Sequence, residues 1–214
     1  MSRRAVSINR VVFREIYPWP NQTLALAKKV QQTLRETAGV IRLEAGPAQE
    51  QKKSPVVVLC LGSMEVPGDS LGPRVGSQLE QTLPQYPVYG TQLEPLDSTN
   101  LHSKLEQLNK EYPGALHLAV DAAVGSWLTV GQVSVRKGPL IPGIGLGIAL
   151  PPVGDVSITA VVKPRRYNPL CQLVNNCRIK PERWAEMLSK LIADSIQQAL
   201  EPGDMFSVAH DPAD

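Results

Sequence analysis

Apolar positions along this chain recur with two different spacings, and the two spacings alternate. Near the N-terminus Leu24, Leu26, Ala27, Val30, Thr33 and Leu34 fall on one helical face, with Asn21 or Thr23 as the cap and Gly39 as the stop. The run Val56-Val57-Val58-Leu59-Cys60-Leu61-Gly62 is continuously apolar and short, as a strand buried on both faces would be. Helical spacing returns at Leu71, Val75, Leu79 and Leu83, which predicts a helix over 71–83. Pro84 and Pro87 then bound a short strand, Val88–Thr91. Ser98 or Thr99 opens a helix carrying Leu101, Leu105 and Leu108, closed near Tyr112-Pro113-Gly114. Strands are predicted at 115–121, at Gln132–Lys137 and at Val156–Val162. The last helix starts at Pro181, a favoured first-turn residue, and runs to about Leu200 with Trp184, Leu188, Leu191, Ile192 and Ile196 as its stripe.

Strands alternating with helices predict an α/β fold, a three-layer α/β/α arrangement around a mostly parallel central sheet. The polar alternation of Gln132, Ser134 and Arg136 suits an edge or half-exposed strand. The stretch GPAQEQKKSP at 46–55 has the composition of a solvated linker. Residues 1–54 therefore read as an N-terminal arm, one helix and a linker, packed on the core. Residues 55–203 form the α/β domain, and 204–214 a flexible tail.

Composition narrows the class. The 214 residues are 43% hydrophobic, enough for one sizeable core. With 22 Lys and Arg against 20 Asp and Glu the net charge is +2, so charge alone argues neither for nor against nucleic acid, and no nucleic-acid partner is expected. No apolar run approaches the length of a membrane span, and Met1-Ser2-Arg3-Arg4 is not followed by a signal-peptide core. Cys60, Cys171 and Cys177 lack metal-binding spacing, and their odd number argues against a disulfide framework. Cys60 reads as a small apolar filler in a buried strand. The expected setting is reducing and cytoplasmic, without membrane partner.

Two acids stand out against this background. Asp69 follows the first core strand through Ser63-Met64-Glu65-Val66-Pro67-Gly68 and precedes Ser70-Leu71-Gly72-Pro73; Asp121 ends the strand Leu116–Val120. In open parallel sheets the carboxyl edge of the strands is where ligands bind. Two carboxylates brought together there share a proton and activate water. Each also has a plain structural reading: Asp69 as a helix cap, Asp121 as a turn residue.

The loop from Lys137 to Gly147 is rich in glycine, yet Gly143, Gly145 and Gly147 lack dinucleotide-binding spacing and Pro151-Pro152 stand where a phosphate-binding helix would start. These glycines are candidates for close backbone approach to an extended peptide. Asp155 is either a third acid at the same edge or a turn residue. His117, His102 and His210 compose no catalytic triad, and there is no nucleophile elbow. Lys163-Pro164-Arg165-Arg166-Tyr167 is a solvated loop or a patch for an acidic partner. Neither a dinucleotide fingerprint nor a Walker A signature is present, and no cofactor is expected.

The segments GSMEVPGDSLGPRVG, VYGT, LAVDAAVG, VGQVSVRKGPLIPGIG and LPPVGDVSITAVV together resemble the YyaC-type sporulation proteins, over roughly residues 55–200. These in turn resemble the germination protease and the hydrogenase maturation endopeptidases, which implies the hydrogenase-maturation-protease-like version of the α/β/α fold. The resemblance implies an aspartic-type endopeptidase acting in sporulation or germination, in the cytoplasm or forespore. Asp69, in DSLGP, and Asp121, in VDA, match the catalytic acids of the germination protease. In the hydrogenase maturation enzymes two such acids and a histidine bind nickel; no histidine occurs here in the glycine-rich region or the strand after it. A metal-assisted peptidase with Asp69 and Asp121 as ligands and Asp155, a backbone group or water in the third position, and a non-catalytic protein that binds a peptide or partner, are the alternatives.

Overall fold

The structure, a computed structural model, describes residues 9–11, 20–45, 56–143, 147, 150–166 and 180–200. Its elements in chain order are β1 (Asn9–Val11), α1 (Pro20–Ala45), β2 (Val56–Cys60), α2 (Leu71–Thr82), β3 (Val88–Tyr89), α3 (Leu101–Glu111), β4 (Leu116–Gly125), β5 (Val133–Lys137), β6 (Val156–Pro164) and α4 (Pro181–Leu200). Among the described residues the strands form one sheet in the order β1-β5-β6-β4-β2-β3. β3, β2, β4 and β6 run parallel, whereas β5 is antiparallel to both β6 and β1.

Residues on alternate faces of β2 enter different cores. Val56, Val58 and Cys60 pack with side chains of α1, α2 and α4, including Leu34, Leu79, Leu188 and Ile192. Val57 and Leu59 pack on the opposite face with Leu101 and Leu108 of α3. That division produces the three α/β/α layers expected from the alternation of periods. Full burial of both faces explains why β2 reads as an unbroken apolar run. Cys60 is fully buried there, which pushes its thiol pKa far up and makes it inert. Leu26, Val30 and Leu34 of α1 belong to the first of these cores, each contributing about 2 kcal/mol by burial.

Several expectations are corrected. α1 does not stop at Gly39 but continues to Ala45. A single glycine costs a helix only about 1 kcal/mol, and Val30, Leu34, Thr37 and Ile41 carry the helical spacing through it. Leu24 is half exposed, off the buried stripe. The cap of α3 is Asn100, while Asp97 accepts from the Thr99 N–H at 2.8 Å in the turn before it. β5 is half-exposed as expected, but β1 covers its outer edge. The linker 46–55, the tail 204–214, Gly145, Cys171 and Cys177 lie outside the described residues.

Candidate active site

The strands lengthen unequally toward the carboxyl edge of the sheet, and the acids lie on the step this creates. β2 pairs with β4 from Val56 opposite Leu116 to Cys60 opposite Val120. The final rung is the Leu61 N–H donating to the Val120 carbonyl at 2.8 Å. β4 continues beyond it, still paired to β6 as far as Gly125 opposite Pro164. Asp121 is the first residue past that rung. It stands inside β4 and not at its end, so the turn-residue reading does not apply.

Asp69 reaches the same level from the loop after β2. Gly62 has a φ of 140°, and a Cβ there would run into the Asp69 backbone carbonyl. The loop thus folds back on the strand it leaves. The Asp69 N–H donates to the Val66 carbonyl at 3.0 Å, and the Ser63 N–H donates to Asp69 Oδ2 at 2.8 Å. Ser70, not Asp69, is the cap residue of α2. Gly72 seats the first turn of that helix directly on Leu61, where a side chain would collide with the Leu61 carbonyl. The D-x-L-G motif is therefore a packing device that holds Asp69 against the end of β2.

Electrostatics ties the two acids together. Burial raises the Asp121 carboxyl, the negative charge of Asp69 raises it further, and the Ala122 N–H opposes both; the outcome is a pKa of about 7. Asp69 is also raised, first by burial and least by the charge of Asp97. The Ser63 N–H and the charge of Lys163 pull it back toward the ionised form. One carboxyl of the pair thus holds a proton near neutrality while its neighbour is equipped to carry the charge.

Lys163 and Asp97 are the site residues that sequence reasoning missed. Lys163 was legible only as the start of a basic loop, but β6 extends to Pro164 and carries it to the level of Val124. Asp97 follows Leu96, which bridges to Leu61 and accepts the Gly62 N–H at 3.0 Å. Its signal was its place after the third strand of a parallel sheet, the position equivalent to that of Asp69 after the second.

Asp155 does not join the pair. Its N–H donates to the His117 carbonyl at 2.7 Å, and its carboxylate accepts the His117 N–H at 2.8 Å. His117 is at the start of β4, so Asp155 is a turn residue at the amino edge, roughly 13 Å from the level of Asp121. Because β5 is antiparallel, the glycine loop also leaves and rejoins the sheet at the amino edge: Lys137 is opposite Val156, and the Gly138 N–H donates to the Asp155 carbonyl. Its stem, Leu140 bridged to Val153, packs in the α3-side core. Gly143 and Gly147 have φ values of 72° and 70°, and a Cβ on Gly147 would meet nothing within 4 Å. These glycines serve the turns of the loop, and no described contact brings them to the acids. Among the described residues no three His, Cys, Asp or Glu side chains stand together as metal ligands, and no helix is long and apolar enough to cross a membrane.

Comparison with known proteins places this geometry in a sequence family. Residues 28–194 match the family model described as "Protein of unknown function (DUF1256)". The chain is 37% identical over 139 residues to a Bacillus subtilis (strain 168) protein named "Uncharacterized protein YyaC". That match takes in 64% of this chain and 63% of the relative, so less than two thirds of the relative's own length is covered. The resemblance to YyaC-type proteins seen in the motifs is thereby supported over the matched part of the chain.

Proposed function

This chain belongs to the DUF1256 family, and on that premise we propose that it is an aspartic-type endopeptidase of the sporulating or germinating cell. The observation that carries the reading is the unequal pair: Asp121 raised to about 7 beside Asp69, whose carboxylate is held by the Ser63 N–H. In this reading Asp69 is the base and Asp121 the acid. Asp69 takes a proton from water as the oxygen of that water bonds to the scissile carbonyl carbon. Protonated Asp121 donates a hydrogen bond to the carbonyl oxygen, stabilising the charge that develops there. The proton taken by Asp69 then passes to the leaving nitrogen as the C–N bond breaks. The substrate is a protein or peptide; no cofactor, nucleic acid or membrane has a role, and the protein works in the cytoplasm or forespore.

The test uses the purified full chain with an extract of sporulating cells, new termini being identified by mass spectrometry at several pH values. Defined new termini are expected from the native chain, and their loss from both Asp69→Asn and Asp121→Asn. Cleavage that survives both substitutions defeats the mechanism. Cleavage abolished by a chelator and restored by a divalent metal would replace it with the metal-assisted one.

A further inference from the structure

We propose that the margin of β4 from Ala122 to Val124, unpaired among the described residues, receives an extended polypeptide segment as an added strand that runs past the acid pair. The docking rests on strand geometry alone; its link to hydrolysis rests on the peptidase reading above.

Backbone polar groups in a strand point alternately to its two sides. In β4 the Val120 carbonyl faces β2, since it accepts from Leu61, whereas the His117 carbonyl faces β6, since it accepts from Asp155. Even-numbered residues are thus directed toward β2 and odd-numbered ones toward β6. The Gly125 carbonyl, which accepts the Arg165 N–H at 2.7 Å, keeps that parity across the register shift after Ala123. β2, however, turns away at Gly62. Ala122 and Val124 therefore face a side on which, among the described residues, no backbone group pairs with them. The Ala122 N–H leans on the Asp121 carboxylate. Among the described residues the Ala122 carbonyl and both polar groups of Val124 have no backbone partner, and these residues are only half-buried.

Such a margin is a ready template for another strand, and folded proteins normally pair, cover or charge it. Here the open stretch carries Ala122 and Val124 and adjoins Asp121. A polypeptide backbone supplies the complementary donors and acceptors at the same repeat, and main-chain pairing of this kind confers affinity with little demand on sequence. Side-chain preference has its own source. The loops after β2, β3 and β4 all leave from this carboxyl edge, and they hold Met64 and Val66, Leu93 and Leu128 with 39%, 44%, 91% and 65% of their surface exposed. Large apolar side chains left in water at one edge suit a segment that brings apolar side chains of its own.

The test measures amide hydrogen exchange by NMR on the full-length Asp69→Asn/Asp121→Asn double variant. The probe is reduced, carboxymethylated α-lactalbumin, a soluble unfolded polypeptide. Without probe, the Val124 amide is expected to exchange much faster than those of Ala123 and Gly125, which face β6. Saturating probe should slow Val124 roughly tenfold, the worth of one added hydrogen bond. In the active chain Val124→Pro removes that donor without touching the β6 side, and it should raise KM for the probe roughly tenfold while kcat and the pH profile stay unchanged. A Val124 amide indifferent to the probe overturns the proposal, whatever the variant does. Slowed exchange at Val124 with no cleavage by the native chain upholds the docking and defeats the peptidase reading. Cleavage by the native chain with Val124 unaffected does the reverse.

Discussion

The Ser63 backbone N–H donates to Asp69 Oδ2 at 2.8 Å, across the loop that leaves β2. This bond, together with the charge of Lys163, favours the ionised form of Asp69, while burial and the negative charge of Asp69 hold Asp121 in its protonated form. Two residues of one type at one sheet edge thereby differ in their tendency to ionise, because their hydrogen-bond partners and burial differ.

A carboxyl raised in the folded state makes stability fall as pH rises. The unfolded chain releases the Asp121 proton near its ordinary value of 3.8, whereas the folded chain holds it to about 7. Below pH 4 both states are protonated and nothing is lost. Between 4 and 7 the folded state binds more protons, so stability declines, reaching a full cost on the order of 4 kcal/mol above 7. Asp121→Asn should therefore be markedly more stable than the native chain in urea at pH 8 and nearly equal to it at pH 4. Equal stabilisation at both pH values would show that Asp121 is not raised.

The groups around Asp69 should move the acid side of the activity profile in opposite directions. Lys163→Met removes a charge that lowers the Asp69 pKa, so the acid limb should shift to higher pH. Asp97→Asn removes a charge that raises it, so the limb should shift to lower pH. Asparagine retains an oxygen to accept from Thr99, which keeps the turn before α3 intact. Profiles of kcat/KM against pH for the two variants check both signs.

Leu34 is 1% exposed in the core shared by α1, α2 and α4. Leu34→Ala should cost about 2–5 kcal/mol, depending on how far the cavity collapses. Because α1 adds its stripe to the same core as the sheet, the loss should appear in a single cooperative unfolding transition. A separate early transition for the helix would contradict this.

Much of this arrangement was legible because packing and local pattern agree. α2 and α4 carry their apolar residues on one face, and β2 is apolar on both, so burial repeats what the spacing predicts. β1 was not legible: Asn9-Arg10-Val11 is too short to show a period and is a strand only because β5 pairs with it. Asp121-Ala122-Ala123-Val124-Gly125 reads weakly as strand, and pairing with β6 overrides that preference. Asp69 and Asp121 stood out because each follows a short apolar run, although β4 continues to Gly125 and holds Asp121 inside the strand. Placing Asp155 and the glycine loop, by contrast, required the direction of β5. A cue was present. Parallel neighbours need a crossover, usually a helix, and the sequence between β5 and β6 carries no helical spacing. An antiparallel β5 puts that loop at the amino edge, away from the acids.

The coupling of Asp69 and Asp121 is tested most directly by titrating the Asp121 side-chain carboxyl with 13C NMR, in the native chain and in Asp69→Asn. The account predicts a midpoint of about 7 in the native chain, moving down once the Asp69 charge is gone. A midpoint in the ordinary carboxylate range, or one that Asp69→Asn leaves unmoved, would contradict it.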